Sequence, residues 1–406
     1  MDWKWGMKSK YVSLSLAAAT LLMAPSCATR PPFARVEQAP SLVMSDPPEF
    51  LQDDIDAPSF ANAAAESKKY LAANNGASIR FGSRTVTSED IAGSIDRLAQ
   101  IVADVKDPAA RKKLIAAEFD FYSINTGRER GAALVTGYYQ PALRASRTKT
   151  DAYKYPVYRR PDDLVNVDLG LFDDRLKGKR ISGRVEVQSL LPYYDRRNID
   201  RENKLEGRGL EIVWVDDPVA LFFLHVQGSG IVELDGGSRI FVNFAAGNGR
   251  DYKSIGKALI AEGAIGENEM SLQAIRSWLA AHTDQMERIL DSNPSYVFFR
   301  EMDDGPYGST GARLVAGRSA AFDPAYFPSG AVAYVVFDAP VVADGQVTGW
   351  EKTGRFVFSH DKGAAIKGPG RMDLFMGAGP EAEAAAGVMK QKGSLFFPLM
   401  KKTGGQ

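Results

Sequence analysis

Arg355 to Phe375 reads RFVFSHDKGAAIKGPGRMDLF. It opens as an alternating apolar run, with Phe356 and Phe358 on one face, which predicts a β-strand. It then breaks into a loop holding Gly363, Gly368, Pro369 and Gly370. Asp361 stands where the strand gives out, and Asp373 lies inside the apolar return Met372-Asp373-Leu374-Phe375. A carboxyl at a strand end, facing a glycine loop, is well placed to hold a proton for donation. Aspartate is equally a common turn cap, so the local pattern leaves both roles open. His360 adjoins Asp361, but the two-residue period of a strand sends neighbours to opposite faces.

The rest of the chain narrows the function classes. Its 406 residues suit two domains with a substantial core. Net charge is zero, and no basic stripe with interleaved aromatics appears, which argues against nucleic acid as a partner. The three histidines, His225, His282 and His360, are far apart, and there is one cysteine. No zinc-type ligand set can be written from these, so no metal is expected. No phosphate-binding glycine loop of the P-loop or Rossmann kind is present, and no cofactor is expected.

Residues 1–27 read as a lipoprotein-type signal peptide. Lys4, Lys8 and Lys10 precede an apolar run from Val12 to Met23, too short to span a bilayer comfortably. Cys27 follows behind Ala24-Pro25-Ser26. Acylation of Cys27 explains a lone thiol in an exported chain and would tether it to a membrane. Residues 28–50, rich in Pro, Ser and Ala, read as a flexible tether.

Beyond the tether, residues 51–125 read as largely helical. Ala57 to Ala73 ends at Asn74-Asn75-Gly76, and Ile91, Ile95, Leu98 and Val102 mark one helical face. A further helix starts at Asp107-Pro108 and is expected to carry Leu114, Phe119 and Tyr122. From residue 131 the texture turns to strands. Val135 to Pro141, Tyr153 to Tyr158, Glu211 to Val215 and Ala220 to Val226 read as strands, and Val232 to Val242 as a hairpin about Asp235-Gly236. Helices follow from Ile255 to before Asn293-Pro294, then strands at Tyr296–Phe299 and Ala331–Phe337. An Ala-rich helix near 380–391 comes last. The chain is thus mainly β with helices, in two β-rich domains, one inserted in the other.

Aromatics beside planar polar side chains suit sugar binding, because ring faces stack on pyranose faces while polar groups read hydroxyls. Tyr138, Tyr139 and Gln140 form one such group, Tyr193, Tyr194 and Asp195 a second, and Gln227 with Ser229 a third. Taken singly, each tyrosine fits a half-buried strand position equally well. His225 reads as a packing histidine. Asp323, in Ala321-Phe322-Asp323-Pro324, reads as turn chemistry.

These segments together resemble the membrane-bound lytic murein transglycosylase A family. The resemblance runs from about Gly137 to about Gly379. It rests on Thr136-Gly137-Tyr138-Tyr139, Tyr155 to Pro161, Pro192-Tyr193-Tyr194, Phe222 to Gly230, Gly247-Asn248-Gly249 and Asn293 to Glu301. Ala365 to Asp373 is a specific match, and Asp323, Asp361 and Asp373 fall on the three positions that give the family its C-terminal three-aspartate domain. The resemblance implies a double-psi β-barrel from residues 51–136 plus 292–400, with a second, glycan-binding β-barrel-like domain of residues 137–291 inserted. It implies a glycan strand in the groove between them and cleavage of the β-1,4 bond between N-acetylmuramic acid and N-acetylglucosamine in peptidoglycan. The product would be a 1,6-anhydromuramoyl end, formed without water.

The family's catalytic aspartate maps onto Asp361, as the single acid and base. Thr136, Tyr138, Gln140, Tyr194, Gln227 and Ser229 would bind or support the glycan, with Asp323 and Asp373 in supporting roles. A monomer facing the periplasm of a Gram-negative bacterium, anchored by lipid to the outer membrane, is the expected state. The run Asp361-Lys362-Gly363-Ala364 departs from the Gly-Gly that usually follows this aspartate. A lysine cation there would favour the carboxylate. Two other outcomes fit the same residues: a catalytically silent peptidoglycan-binding lipoprotein, and a hydrolase in which Asp373 or Glu211 activates water. A carboxyl isolated from every other one would favour the transglycosylase over the hydrolase.

Overall fold

The computed structural model describes residues 42–75, 78–124 and 131–402. Cys27, the signal segment and the first part of the expected tether lie outside the described residues. Among the described residues no helix is long and apolar enough to cross a membrane.

The chain begins with β1 (Leu42–Ser45), α1 (Ala57–Ala73), β2 (Ser78–Phe81), β3 (Arg84–Thr87), α2 (Ser88–Asp104), α3 (Pro108–Glu118) and β4 (Phe119–Ile124). Next come β5 (Ala132–Gln140), β6 (Ala142–Ser146), β7 (Tyr155–Tyr158), β8 (Val165–Asp168), β9 (Arg180–Glu186), β10 (Ser189–Pro192) and α4 (Arg196–Asp200). Then follow β11 (Glu211–Val215), α5 (Pro218–Gln227), β12 (Ser229–Leu234), β13 (Arg239–Gly247), α6 (Ile255–Ala261), α7 (Leu272–Ala281), α8 (Thr283–Asp291) and β14 (Val297–Met302). The chain closes with β15 (Ser319–Ala321), β16 (Val332–Ala343), β17 (Gln346–Asp361), β18 (Arg371–Ala378), α9 (Pro380–Val388) and β19 (Lys390–Met400).

Two barrels result. In the first, β19, β16, β17, β15, β18 and β5 pair in that order, and the ring closes because the start of β19 pairs β5 while its middle pairs β16. The far half of β19 carries β4, and β4 carries β1. The second runs β14-β13-β12-β6-β11-β7 and is closed by a bridge between Arg159 and Phe299. A single residue, Pro141, separates β5 of the first barrel from β6 of the second. The return path is the loop between β14 and β15.

Local chemistry explains the elements that position the site. Asp56 caps α1 by accepting from the Ser59 N–H, and Thr87 with Asp90 forms a capping box on α2. The long β16–β17 hairpin turns on Asp344 and Gly345, both at positive φ, the requirement of a two-residue primed turn. Phe356 and Phe358 point inward as the alternation predicts, each meeting the Phe60 ring of α1 edge-on at 5.6 and 5.2 Å. Arg318, at the entry to β15, is fully buried against Asp53 at 2.8 Å. It also donates to Ser59 Oγ and to the carbonyls of Ile55, Asp56 and Phe356. The segment before α1 is thereby locked onto β15 and β17.

Three expectations are corrected. Ala220 to Val226 is not a strand but lies in α5. Asp217 caps it and Pro218 opens it. Gly228 ends it in the left-handed conformation, and burial of its middle makes the apolar pattern nearly continuous. Phe119 and Tyr122 lie in β4 rather than in a helix, because their segment pairs with β1 and β19. Finally, Leu42–Ser45, inside the expected tether, is a strand whose Leu42 is buried against the barrel.

Candidate active site

Asp361 is the last residue of β17. Alternation turns the preceding His360 fully inward, where its ring nitrogens meet Ser67 Oγ and Ser319 Oγ at 2.9 and 2.8 Å. Asp361 therefore faces the other way, out of the first barrel. Beneath it lies a small apolar cluster of Tyr138, Leu314, Ala321, Ile366 and Phe375.

Three donors meet the Asp361 carboxyl. The backbone N–H groups of Ser309 and Lys362 each donate to Oδ1 at 2.8 Å, and the Tyr138 hydroxyl donates to Oδ2 at 3.2 Å. Burial pushes the pKa up and outweighs the N–H of Lys362, the N–H of Ser309, the Tyr138 hydroxyl and the Ser309 side chain, which pull it down. Lys362 thus acts through its main chain, and its exposed side chain leaves the carboxyl to the local donors. Ala364 is not at positive φ, so the loop has no need of glycine there.

Asp361 is not isolated. Ala321 of β15 is in register with Asp361 on one side and Asp373 on the other. The two aspartates are thus two strand spacings apart at the backbone, about 9–10 Å. Burial pushes Asp373 up to about 6, Thr136 and Arg371 oppose the shift, and Asp361 adds to it. Thr136 Oγ1 donates to Asp373 Oδ1 at 2.7 Å. Tyr138 is raised well above the ordinary tyrosine range by burial and by both aspartates. Asp361 is the smallest of these influences on Asp373, and burial is the largest.

The loop between β14 and β15 wraps the carboxyl and was missed by sequence reasoning. Its Thr310 donates from both N–H and Oγ1 to the His360 carbonyl. Asn243 of the second barrel holds Tyr307 twice, Nδ2 donating to its carbonyl at 3.1 Å and Oδ1 accepting from its N–H at 3.4 Å. Ser309, which supplies a donor to Asp361, is therefore positioned by both barrels. The run Gly305-Pro306-Tyr307-Gly308-Ser309-Thr310-Gly311 was the available signal, being dense in turn formers.

The remaining expected residues divide. Asp323 Oδ2 accepts from the Gly368 N–H at 2.8 Å and so ties down the glycine loop beside Asp361. Gln227 Oε1 accepts from the Tyr139 N–H, joining α5 to β5 next to Tyr138. Ser229 is buried and in register with Asn243. Gln140 is buried in register with Ala378, and its Nε2 has no partner among the described residues. Tyr194 belongs to a different neighbourhood: it meets Tyr193 edge-on, lies under the Arg184 guanidinium at 4.2 Å, and its carbonyl accepts from Asn248.

Comparison with known proteins fits this geometry. Residues 134–300 match the MltA specific insert domain, and residues 318–397 match the 3D domain. A membrane-bound lytic murein transglycosylase A of Vibrio cholerae is 30% identical over 307 residues, 74% of each chain. The crystal structure of a membrane-bound lytic murein transglycosylase from Agrobacterium tumefaciens superposes with a TM-score of 0.69 at 30% identity, covering 86% of this chain and 97% of that one. The Escherichia coli MltA structure with bound chitohexaose shares the fold, with a TM-score of 0.68 at 24% identity over 89% of this chain and 95% of that one. With the relatedness running through both barrels and the Asp361 seam, the chain belongs to the membrane-bound lytic murein transglycosylase A family.

Proposed function

We propose that this chain is a lytic transglycosylase that cleaves the β-1,4 bond between N-acetylmuramic acid and N-acetylglucosamine in peptidoglycan, with Asp361 as its single acid and base. The observation that supports the reading is the Asp361 carboxyl, buried and met by hydrogen-bond donors at the seam of two barrels, whereas Asp373 is held by Thr136. Protonated Asp361 donates to the glycosidic oxygen as the C1–O bond breaks. Its carboxylate then removes the proton from the muramic C6 hydroxyl as that oxygen attacks C1, closing the 1,6-anhydro ring. The nucleophile belongs to the substrate, so water is not consumed and a second carboxylate is not required. The Ser309 and Lys362 N–H groups and the Tyr138 hydroxyl stabilise the carboxylate between the two steps.

In this reading Asp373, held by Thr136, keeps a proton in the pair and braces β18. Asp323 braces the glycine loop, and Gln140, Gln227 and Ser229 support the glycan groove, whereas Tyr194, packed with Tyr193 and Arg184, lies outside the Asp361 site. The double-psi path is proposed for the first barrel and the insert for the second; the expected bounds of 137 and 291 move to 141 and 302, because β5 stays in the first barrel to Gln140 and β14 runs in the second to Met302. Cys27 is proposed as the acylated residue of a monomeric outer-membrane lipoprotein facing the periplasm. The nearness of Asp373 favours one second reading, a hydrolase in which Asp373 activates water. Digestion of murein sacculi separates the two: anhydromuramoyl ends support the transglycosylase, and reducing ends overturn it. Asp361→Asn should lower turnover on the order of 10²–10⁴-fold with the fold intact. Full activity in that variant would sink the mechanism.

A further inference from the structure

The second barrel carries a cavity of about 340 Å³ between β7, β11, α4 and the start of α5. It lies apart from Asp361. In the ring order β14-β13-β12-β6-β11-β7, strands β7 and β11 stand opposite β12 and β13, and it is β13 that holds the Asp361 loop through Asn243. Helix α5 spans the gap: Pro218 and Leu221 line the cavity, while Gln227 at its other end contacts β5. From Leu221 to Gln227 the helix rises six residues, about 9 Å.

The lining has a definite chemistry. Tyr155, Tyr158 and Trp214 supply aromatic walls, and Tyr155 and Trp214 keep part of their surface open. Arg196, only 2% exposed, forms the base beside Asp200. The lining carries four cations, Lys149, Lys154, Arg196 and Arg201, against three anions, Asp200, Glu206 and Glu211, and acidic groups behind the wall take up Arg201. Arg196 meets Asp200 at 3.5 Å, Lys149 meets Glu206 at 3.3 Å, and Arg201 is drawn to Glu287 and Asp291. Among the described residues no ion pair holds Lys154 or Glu211, which have opposite signs, and Lys154 lies over the Tyr155 ring at 5.9 Å from its centroid. A site for an ion keeps a surplus of one charge. This one offers aromatic faces and hydrogen-bonding groups with almost none, which is the chemistry that recognises a neutral polyhydroxyl ring. Its volume falls in the small-ligand range of roughly 300–1,000 Å³.

We propose that this cavity binds one or two neutral sugar residues, as a holding site for a glycan separate from the groove at Asp361. The proposal rests on the glycan reading above for the source of the sugar, while the cavity's own chemistry selects the class. A holding site on the far side of the second barrel would keep the enzyme on an insoluble polymer between cleavage events.

The test titrates N,N′-diacetylchitobiose into the full chain and follows the Trp214 indole N–H resonance, assigned with Trp214→Phe. The indole should shift in a saturable way. Tyr155→Ala and, separately, the conservative Glu211→Gln should weaken the apparent affinity at this resonance tenfold or more. With sacculi at limiting concentration, turnover by Tyr155→Ala should fall several-fold, while turnover of a short soluble glycan stays at the wild-type level. An unmoved indole, in a chain that still cuts sacculi, overturns the proposal and leaves the function standing. Equal shifts with acetate or ethanolamine overturn the neutral-sugar assignment. A chain that cuts no sacculi overturns the proposed function, and the indole titration still decides the cavity.

Discussion

The Tyr138 hydroxyl donates to Asp361 Oδ2 at 3.2 Å from beneath the carboxyl, across 223 positions of sequence. The bond joins β5, which leads into the second barrel, to the end of β17 in the first. It favours the carboxylate over the acid. Tyr138→Phe removes it, so the Asp361 pKa rises further. Activity that needs the protonated acid is lost as pH rises through that pKa, and in the variant the loss moves to higher pH. The carboxylate formed on proton donation also loses a charge-assisted bond worth about 1.5–3 kcal/mol, so kcat at the optimum falls about 10–100-fold. The pH profile of kcat/KM on soluble glycan strands reads both effects. An unshifted alkaline limb would mean that the hydroxyl and the carboxyl are not coupled in solution.

Asp373→Asn tests the second carboxyl. Asparagine keeps an acceptor for Thr136 and stands in for the neutral acid, so the alkaline limb of activity should stay near its wild-type position. Stability should change instead. The folded chain holds the Asp373 proton more tightly than the unfolded chain does, since burial raises its pKa to about 6. Wild-type stability therefore falls as pH rises from about 4 to about 6, by about 2–3 kcal/mol from this group. The variant lacks that loss. Urea unfolding should find the two chains similar near pH 4 and the variant more stable near pH 7. A variant less stable at pH 7 would show that the Asp373 charge is compensated, with Arg371 the nearest candidate.

Arg318 and Asp53 form a buried pair, each about 1% exposed or less at the side chain. Burial raises the Asp53 carboxyl and Arg318 opposes that shift. Replacing Arg318 by Met leaves the carboxyl without its partner and takes a donor from the carbonyls of Ile55, Asp56 and Phe356, of which Asp56 keeps Ser59 Oγ and the Phe60 N–H. The expected cost is about 3–5 kcal/mol in urea unfolding. Asp53→Asn/Arg318→Met should recover part of it. No recovery in the double variant would assign the loss to the carbonyls rather than to the stranded charge.

The sequence made some of this legible for definite reasons. Asp361 at a strand end, with His360 on the opposite face, follows from period-two alternation, and the stop of α1 at Asn74 and the Asp107 cap of α3 from short-range signals. Helix α5 was hidden because a helix buried through its middle loses the 3.6-residue contrast and reads as a strand. β4 was hidden because its pairing with β1 and β19 lies far away in sequence. The coupling of Asp361 to Asp373 was hidden too. It depends on Ala321, a small residue with no chemistry of its own, lying between the two strands. Ser309 acts through a backbone N–H, which any residue but proline supplies.

Gly308 tests that hidden donor. A Cβ at this position would lie 2.3 Å from the His360 carbonyl oxygen and 2.9 Å from Leu314 Cδ2. The first contact is with backbone, which cannot swing aside, so Gly308→Ala must push the loop away from β17. The Ser309 N–H then withdraws from Asp361 Oδ1, and Thr310 loses its grip on the His360 carbonyl. Asn243 still holds Tyr307 on the other side, so the displacement should stay local and the unfolding midpoint should drop only modestly. Catalysis should lose one backbone donor to the carboxylate, a cost of about 1.5–3 kcal/mol, or about 10–100-fold in kcat. Ser309→Ala keeps the N–H and removes only the weaker side-chain hydrogen bond to Asp361, so it should cost less than Gly308→Ala. Equal loss in both variants would move the contribution from the Ser309 backbone to its hydroxyl.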